Sequence, residues 1–330
     1  MLVVHIGLGK TATTTLQRYV FPELSQITGI LFNDREIVAK VMECMCSVDD
    51  ECLVDLKRLI DGRDVLISLE SLVDWNPHYW EDAADRNLRI FGQFAVILVT
   101  VREPESYLRS IYQQMMHEGH VLSPYDFFVG SKQYLKLKRC LGDKQLGFFD
   151  VDSFDLYRLY NIYTSRFEQV HFIPLEKMSS MGFLRSLYAL CEDDVLRLQK
   201  CFANSPRENR SYSSLGVSLT LKRERLLNAI GMKSFSSRDR YFQEMLSDRQ
   251  LSQNAHKLPF AELSFNERVY QFPVRLLRRL LRFFAWRNFI QNGVDKILPY
   301  SKYDLPDNVD LNQTLLEKNR EFLATLTVKN

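Results

Sequence analysis

The stretch His5-Ile6-Gly7-Leu8-Gly9-Lys10-Thr11-Ala12-Thr13-Thr14-Thr15-Leu16-Gln17 decides how the chain is read. It follows an apolar run, Leu2–Ile6, and passes through a glycine turn into residues that open a helix. A helix start presents backbone N–H groups without intrahelical acceptors and carries a partial positive charge, so it favours anions. Gly7 and Gly9 let a ligand approach the backbone closely. Lys10 adds a full positive charge, and the threonines at 11, 13, 14 and 15 add hydroxyl donors. Such a set suits a phosphate or a sulfate. Two other phosphate-binding patterns fail on spacing. A Walker loop needs a glycine at the position of Val4, which lies inside the expected strand. A dinucleotide fingerprint needs a glycine where Ala12 stands.

Working outward, four runs rich in Val, Ile, Leu or Phe lack polar alternation: Leu2–Ile6, Val65–Leu69, Phe94–Val101 and Val170–Ile173. That pattern predicts parallel strands covered on both faces, with Gly29–Phe32 as a weaker fifth. Helices are predicted over Thr13–Leu24, Asp34–Cys46, Glu51–Ile60 and Pro104–His117. The alternation predicts a three-layer α/β/α fold with a mostly parallel central sheet. Further on, strand signals fade. Helices are predicted over Gly182–Leu190, Asp194–Cys201, Leu215–Ile230, Phe272–Ile290 and Leu311–Leu326, with polar loops at Ser205–Ser214 and Ser234–Arg240. The sequence therefore predicts an α/β core over 1–215 and a helical C-terminal extension over 216–330, packed on the core within one domain.

The 330 residues are 46% hydrophobic and 25% charged, which excludes a disordered or fibrous chain. The net charge of +2 hides an asymmetry: residues 41–90 hold 12 acidic and 5 basic residues, residues 221–300 hold 7 and 15. Within the basic part, Val274-Arg275-Leu276-Leu277-Arg278-Arg279-Leu280-Leu281-Arg282-Phe283-Phe284 reads as a basic amphipathic helix. Its two readings are a helix packed on the core and a surface, over 274–290, for an anionic glycan or a peripheral membrane contact. No apolar run reaches the ~20 residues of a membrane-spanning helix. The six cysteines include no C-x-x-C pair, and with scattered histidines they predict no zinc site. Without a visible secretory signal, reduced thiols and a cytoplasmic location are expected.

Residues 5–17 resemble the 5′-phosphosulfate loop of the sulfotransferase family that uses 3′-phosphoadenosine 5′-phosphosulfate (PAPS), a loop usually close to Pro-Lys-Thr/Ser-Gly-Thr-Thr/Ser. Gly9 stands at that loop's Pro and Ala12 at its Gly. A second segment, Arg102-Glu103-Pro104-Glu105-Ser106-Tyr107-Leu108-Arg109-Ser110, resembles the family's 3′-phosphate segment. There an Arg at a strand end is followed eight positions later by a helix-borne Ser. The chemistry agrees, because a guanidinium grips phosphate with paired hydrogen bonds and a hydroxyl adds a donor. Weaker likenesses lie at Phe167–Leu190, Asn209-Arg210-Ser211 and Glu317-Lys318-Asn319-Arg320.

The resemblance implies a P-loop-containing nucleotide-binding fold and a soluble sulfotransferase. PAPS would be the donor, adenosine 3′,5′-bisphosphate the product, and no metal would be required. Gly9, Lys10, Thr11, Ala12, Thr13, Thr14, Thr15, Arg102 and Ser110 would hold the donor, with Lys10 stabilising the leaving oxygen. Glu70 closes the run Val65–Leu69, at the strand end where open parallel sheets place ligands, and is the expected base. In this it resembles carbohydrate sulfotransferases, which points to a glycan or related hydroxyl acceptor and not to nucleic acid. His117 and His120 are fallback bases, and His5 is read as structural. The alternatives are an ATP-dependent small-molecule kinase and an inactive nucleotide-binding module of the same fold.

Overall fold

A computed structural model describes residues 1–46, 49–141, 147–206, 211–229, 286 and 289–326. The predicted loop Ser234–Arg240 and nearly all of 274–290 lie outside them, as do Asn209 and Arg210.

The chain forms two compact units that interleave along the sequence. The first contains Met1–Ile111, Phe128–Asn209 and Asp310–Asn330; the second contains Tyr112–Phe127 and Arg210–Val309. This division differs from the single cut near residue 215 that the sequence suggested.

The first unit is built on strands β1 (Leu2–Gly7), β2 (Leu31–Phe32), β3 (Val65–Ser68), β4 (Val96–Val101) and β7 (Gln169–Pro174). They form one sheet in the order β2-β3-β1-β4-β7, every pair parallel. Two further strands, β5 (Phe128–Val129) and β6 (Phe149–Asp150), pair separately, also in parallel. The protein is thus an α/β protein with a parallel five-stranded central sheet. The second strand and four main strands expected from the sequence are all present. Phe94 falls outside β4 and is 75% exposed, so the strand starts later than its apolar run suggested.

Between β1 and β2 the helical path has three pieces: α1 (Thr13–Thr15), a π-helical turn Leu16–Val20, and α2 (Phe21–Thr28). The single predicted helix Thr13–Leu24 is broken up because Pro22 has no N–H to continue the ladder. Helices α3 (Arg35–Cys46) and α4 (Asp50–Ile60) precede β3, and α5 (Trp80–Phe91) leads back to β4. Next come α6 (Pro104–His117), α7 (Pro124–Phe127), α8 (Ser131–Leu141) and α9 (Leu156–Thr164). After β7 follow α10 (Gly182–Tyr188), α11 (Glu192–Ala203), α12 (Ser214–Ala229), α13 (Asp295–Ile297) and α14 (Gln313–Leu326).

Alternation along the strands sends side chains to both faces. Val3, Leu66, Leu98 and Ile173 pack with Leu16, Phe21 and Leu24, and with Leu184, Val195 and Leu198 from α10 and α11. On the opposite face Phe172 meets Tyr160 of α9 and Phe322 of α14, at ring distances of 5.3 and 6.2 Å. Phe21 is fully buried, and burial of a side chain of this size contributes about 1.5–3 kcal/mol.

The polar motif at 317–320 docks the last helix within the first unit. Buried Asn319 accepts from Leu156 N and donates to Phe154 O, each at 2.7 Å, satisfying the start of α9. Lys318 pairs with Asp155 at 2.8 Å, and Arg320 with Glu103 and Glu105, both at 3.0 Å.

The thiol expectation is corrected in one place. Helices α3 and α4 pack as a hairpin and bring Cys44 and Cys52 together as a disulfide with a Cα–Cα distance of 5.8 Å. Helical phase places the two side chains face to face, which a cysteine count cannot reveal. Cys46, Cys191 and Cys201 are free thiols.

In the second unit, Gly216 of α12 packs so tightly that a Cβ there would come 2.7 Å from Ile290. Trp286 donates to the Thr220 hydroxyl at 2.9 Å, and the His117 ring sits edge-on to Tyr212 at 4.2 Å.

Candidate functional site

The carboxyl ends of β1, β3 and β4 meet where the strand order reverses around β1, the place where open parallel sheets bind ligands. The turn after β1 is strained. Lys10 has φ 69 and Ala12 φ 59, both left-handed, a conformation that costs a non-glycine residue about 1–2 kcal/mol. A glycine at position 12 would carry no such cost, which gives a physical reason for the glycine in the loop it resembles.

The turn is tied to β4 by threonines. The Thr11 hydroxyl donates to Leu8 O at 2.6 Å and lies 2.7 Å from that of Thr100. Thr11 is fully buried, so its side chain holds the turn and does not face an anion. Gly7 is needed for the same packing: a Cβ there would lie 2.4 Å from the Thr13 hydroxyl oxygen and 2.7 Å from that of Thr100. Gly9 has nothing within 4 Å of such a Cβ and shows no positive φ. The two glycines therefore differ: threonine hydroxyls fill the space a Cβ at Gly7 would need, whereas the space at Gly9 is open. Thr14 and Thr15 lie half-buried on the first turn of the helical path.

Arg102 follows β4. Its Nη1 donates to Ser110 Oγ at 2.9 Å and to Lys10 O at 3.2 Å. The eight-residue spacing thus becomes a direct contact, and the guanidinium reaches the turn after β1. Burial and the neighbouring Arg109 lower the Arg102 pKa, against opposing pulls from Glu176 and Glu103. Glu103 also caps α6, accepting from Ser106 N at 2.7 Å. Lys10, Arg102 and Arg109 make this corner cationic.

Glu70 opens a 3₁₀ turn, Glu70–Leu72, directly after β3. Solvent reaches it, yet surrounding protein raises its pKa, opposed by the charge of Lys10 and a hydrogen bond from Thr13. Lys10, Thr13 and Glu70 are therefore one interacting group. A network not apparent from the sequence holds this strand end: Gln17 and Asn33 donate to Ser68 O at 2.8 and 3.1 Å, and Asn33 accepts from Ser68 N at 2.7 Å. His5 Nδ1 lies 2.6 Å from Ser68 Oγ, and burial lowers its pKa to about 3. It is a neutral core histidine, as the sequence suggested. Asn87 Nδ2 donates to Leu72 O at 2.8 Å and fixes the far end of the turn. The sequence signal for Ser68 and Thr100 is a single polar residue at, or one position before, the end of an otherwise apolar strand.

The residues expected to act together divide between the units. Lys10, Glu70, Arg102 and Ser110 belong to the first; His117 and His120 belong to the second. Among the described residues, no cluster of three or more His, Cys, Asp or Glu side chains is arranged to hold a metal ion. Two surface hollows lie elsewhere, one lined by Met1, Lys57, Arg58 and Arg63, the other by Glu81, Asp155, Arg158 and Arg166.

The fold and this corner define an α/β protein with a cationic strand-to-helix turn facing a carboxylate. No protein-family model, no curated protein and no solved structure matches the chain.

Proposed function

We propose that the chain is a sulfotransferase that moves a sulfuryl group from PAPS to an acceptor hydroxyl. The observation that carries the reading is the gathering of Lys10, Thr13 and Glu70 beside the Arg102–Ser110 pair. We place the fold, on the same ground, among the P-loop-type nucleotide-binding proteins.

Bound PAPS would supply the sulfuryl group and leave as adenosine 3′,5′-bisphosphate. Lys10, Thr14, Thr15 and the amides of the turn, Gly9 to Ala12 included, would hold the 5′ end. Arg102 and Ser110 would hold the 3′-phosphate, Arg102 giving up its bond to Lys10 O as it turns to the ligand. Lys10 would neutralise charge on the bridging oxygen as the S–O bond breaks. Glu70 would take the proton of the acceptor hydroxyl while that oxygen bonds to sulfur. A raised pKa makes Glu70 a better proton acceptor once ionised. The scheme requires no metal. The proposed acceptor is a carbohydrate or glycolipid.

The Cys44–Cys52 bond supports an oxidising compartment in place of the cytoplasm expected from the sequence. Among the described residues no helix is long and apolar enough to cross a membrane.

The test is transfer of labelled sulfate from PAPS across a panel of glycan acceptors. Lys10→Ala should lower the rate by about 10²–10³-fold, the scale of losing one charge-stabilising donor. Arg102→Ala should abolish the thermal stabilisation given by adenosine 3′,5′-bisphosphate. Full transfer by Lys10→Ala would refute the reading. Stabilisation by ATP with magnesium but not by the bisphosphate would favour the kinase alternative, and bisphosphate binding without turnover the inactive module.

A further inference from the structure

In the second unit the helical run Phe289–Ile297 passes into a stretch that has no part in the scheme above, Lys296-Ile297-Leu298-Pro299-Tyr300-Ser301-Lys302. All seven residues are exposed. Ile297 is 79% exposed, Leu298 47% and Tyr300 52%. Single exposed apolar side chains are ordinary on a protein surface, but adjoining ones ask for a reason. Outside 289–300, the exposed large apolar side chains among the described residues stand ten or more positions apart.

The stretch is held at both ends. Before it, Asp295 accepts from Ser213 N at 3.1 Å and from the Ser213 hydroxyl. After it, Ser214 donates from N to Ser301 O and from Oγ to Lys302 O, both at 2.9 Å. Within it, Leu298 N donates to Val294 O at 3.0 Å, and Pro299 has no N–H. Two backbone nitrogens of the tip thus need no water, which lowers the cost of taking it into an apolar medium.

What covers such a tip must accept projecting apolar side chains and meet a lysine at either end. The charge of the sequence agrees. Residues 275–302 hold seven basic residues and one acidic, and that one, Asp295, is taken up by Ser213. Lys302 lies 3.8 Å from Asp304, a long exposed pair that a headgroup phosphate can replace. A bilayer meets these demands. Its acyl boundary closes around projecting side chains without a preformed pocket, tyrosine rings favour the headgroup level, and lysines reach the headgroups while their stems stay apolar. A protein partner would need a pocket shaped to Ile297.

We infer that Lys296–Lys302 is a docking tip for an anionic bilayer surface. Ile297 and Leu298 enter the acyl boundary, Tyr300 lies at the headgroup level, and Lys296 and Lys302 meet anionic headgroups. The inference does not rest on the sulfotransferase reading, and either can fail alone.

The experiment is flotation of the full chain with vesicles of phosphatidylcholine alone and of equimolar phosphatidylcholine and phosphatidylserine. The chain should float with the mixed vesicles and stay behind with phosphatidylcholine alone. The double variant Ile297→Ser with Leu298→Ser should need about 100-fold more mixed lipid for half binding, the scale of withdrawing two aliphatic side chains. Lys296→Ala should need about fivefold more, the scale of one lysine at an anionic surface. Both variants should melt at the wild-type temperature, because the changed side chains are exposed. No flotation of the wild type with mixed vesicles would overturn the inference. So would wild-type flotation of the double variant, because attachment would then lie elsewhere in the chain. A wild type that sediments as a dimer, with the double variant a monomer, would give the tip to a second copy and overturn it as well.

Discussion

Two polar clusters of the first unit, one around Glu70 and one around Asp150, differ in how completely their groups are paired. Asp150 ends β6 and is fully buried. It accepts from Ser131 Oγ at 2.8 Å and Ser153 Oγ at 2.7 Å, and lies 2.7 Å from His78 Nε2. Burial alone would raise its pKa, but the hydrogen bonds of His78, Ser153 and Ser131 outweigh it and hold the carboxyl below its usual range. His78 stacks on Tyr134 at 4.3 Å, and Asn76 Nδ2 donates to Tyr134 Oη at 2.7 Å. None of these residues has a positive φ. Around Glu70 the backbone is left-handed at Lys10 and Ala12, and the carboxyl pKa is raised by burial. The Asp150 network is closed among its own side chains, whereas the set around Glu70 would be closed by the donor proposed above. His78, Asp150 and Ser153 illustrate the distinction. Asp150 and Ser153 both meet the same ring atom, Nε2, so the three do not form the relay of a catalytic triad.

Substitutions can break this contrast. The largest stability effect belongs to the brace: Asp150→Ala leaves His78, Ser131 and Ser153 without their shared acceptor and should cost about 3 kcal/mol in urea unfolding. Its bisphosphate-induced thermal shift should persist. Loss of that shift in a folded Asp150→Ala protein would merge the two clusters into one site. Gly7→Ala comes next, at about 1–3 kcal/mol, the scale of overpacking, because its Cβ would meet two threonine hydroxyls. Gly9→Ala, with open space around it, should be within about 0.5 kcal/mol of wild type and sharpens the comparison.

Ala12→Gly relieves a left-handed residue at the cost of a freer unfolded chain, and the net gain should be at most about 1 kcal/mol. Glu70→Gln is the smallest and is read by its pH dependence. The folded-state pKa of Glu70 is raised, so folding favours its protonated form. The wild type loses that contribution as pH rises from the unfolded-state carboxylate pKa through the folded one. Glu70→Gln should therefore melt slightly higher than wild type at neutral pH, and the difference should vanish below the ordinary carboxylate pKa. A lower melting temperature at neutral pH would make Glu70 a structural ion.

Much of the fold was legible because local signals agreed. Leu2 and Val65 begin parallel strands where their apolar runs begin, and Val170–Ile173 lies inside β7. Helices α5, α8 and α9 were missed. The buried face of α5 includes Ala83, Ala84 and Asn87, too small or too polar to mark an apolar stripe. Strands β5 and β6 have two residues each, too few for a period to register. At the site, Lys10, Glu70, Arg102 and Ser110 were named from motif and strand position. Gln17 and Asn33 were not, since their contacts to Ser68 join segments far apart in the chain.

The sequence by itself determined the strand-to-helix turn at Gly7–Thr15, the parallel strands and the Arg102–Ser110 spacing, because these rest on near-neighbour periodicity and backbone chemistry. Only the tertiary structure decided that Thr11 turns inward, that Thr13 and Lys10 act on Glu70, that Cys44 bonds Cys52, and that Asn319 anchors the last helix. Each depends on which side chains different elements bring within hydrogen-bonding or bonding distance, and chain spacing does not encode that.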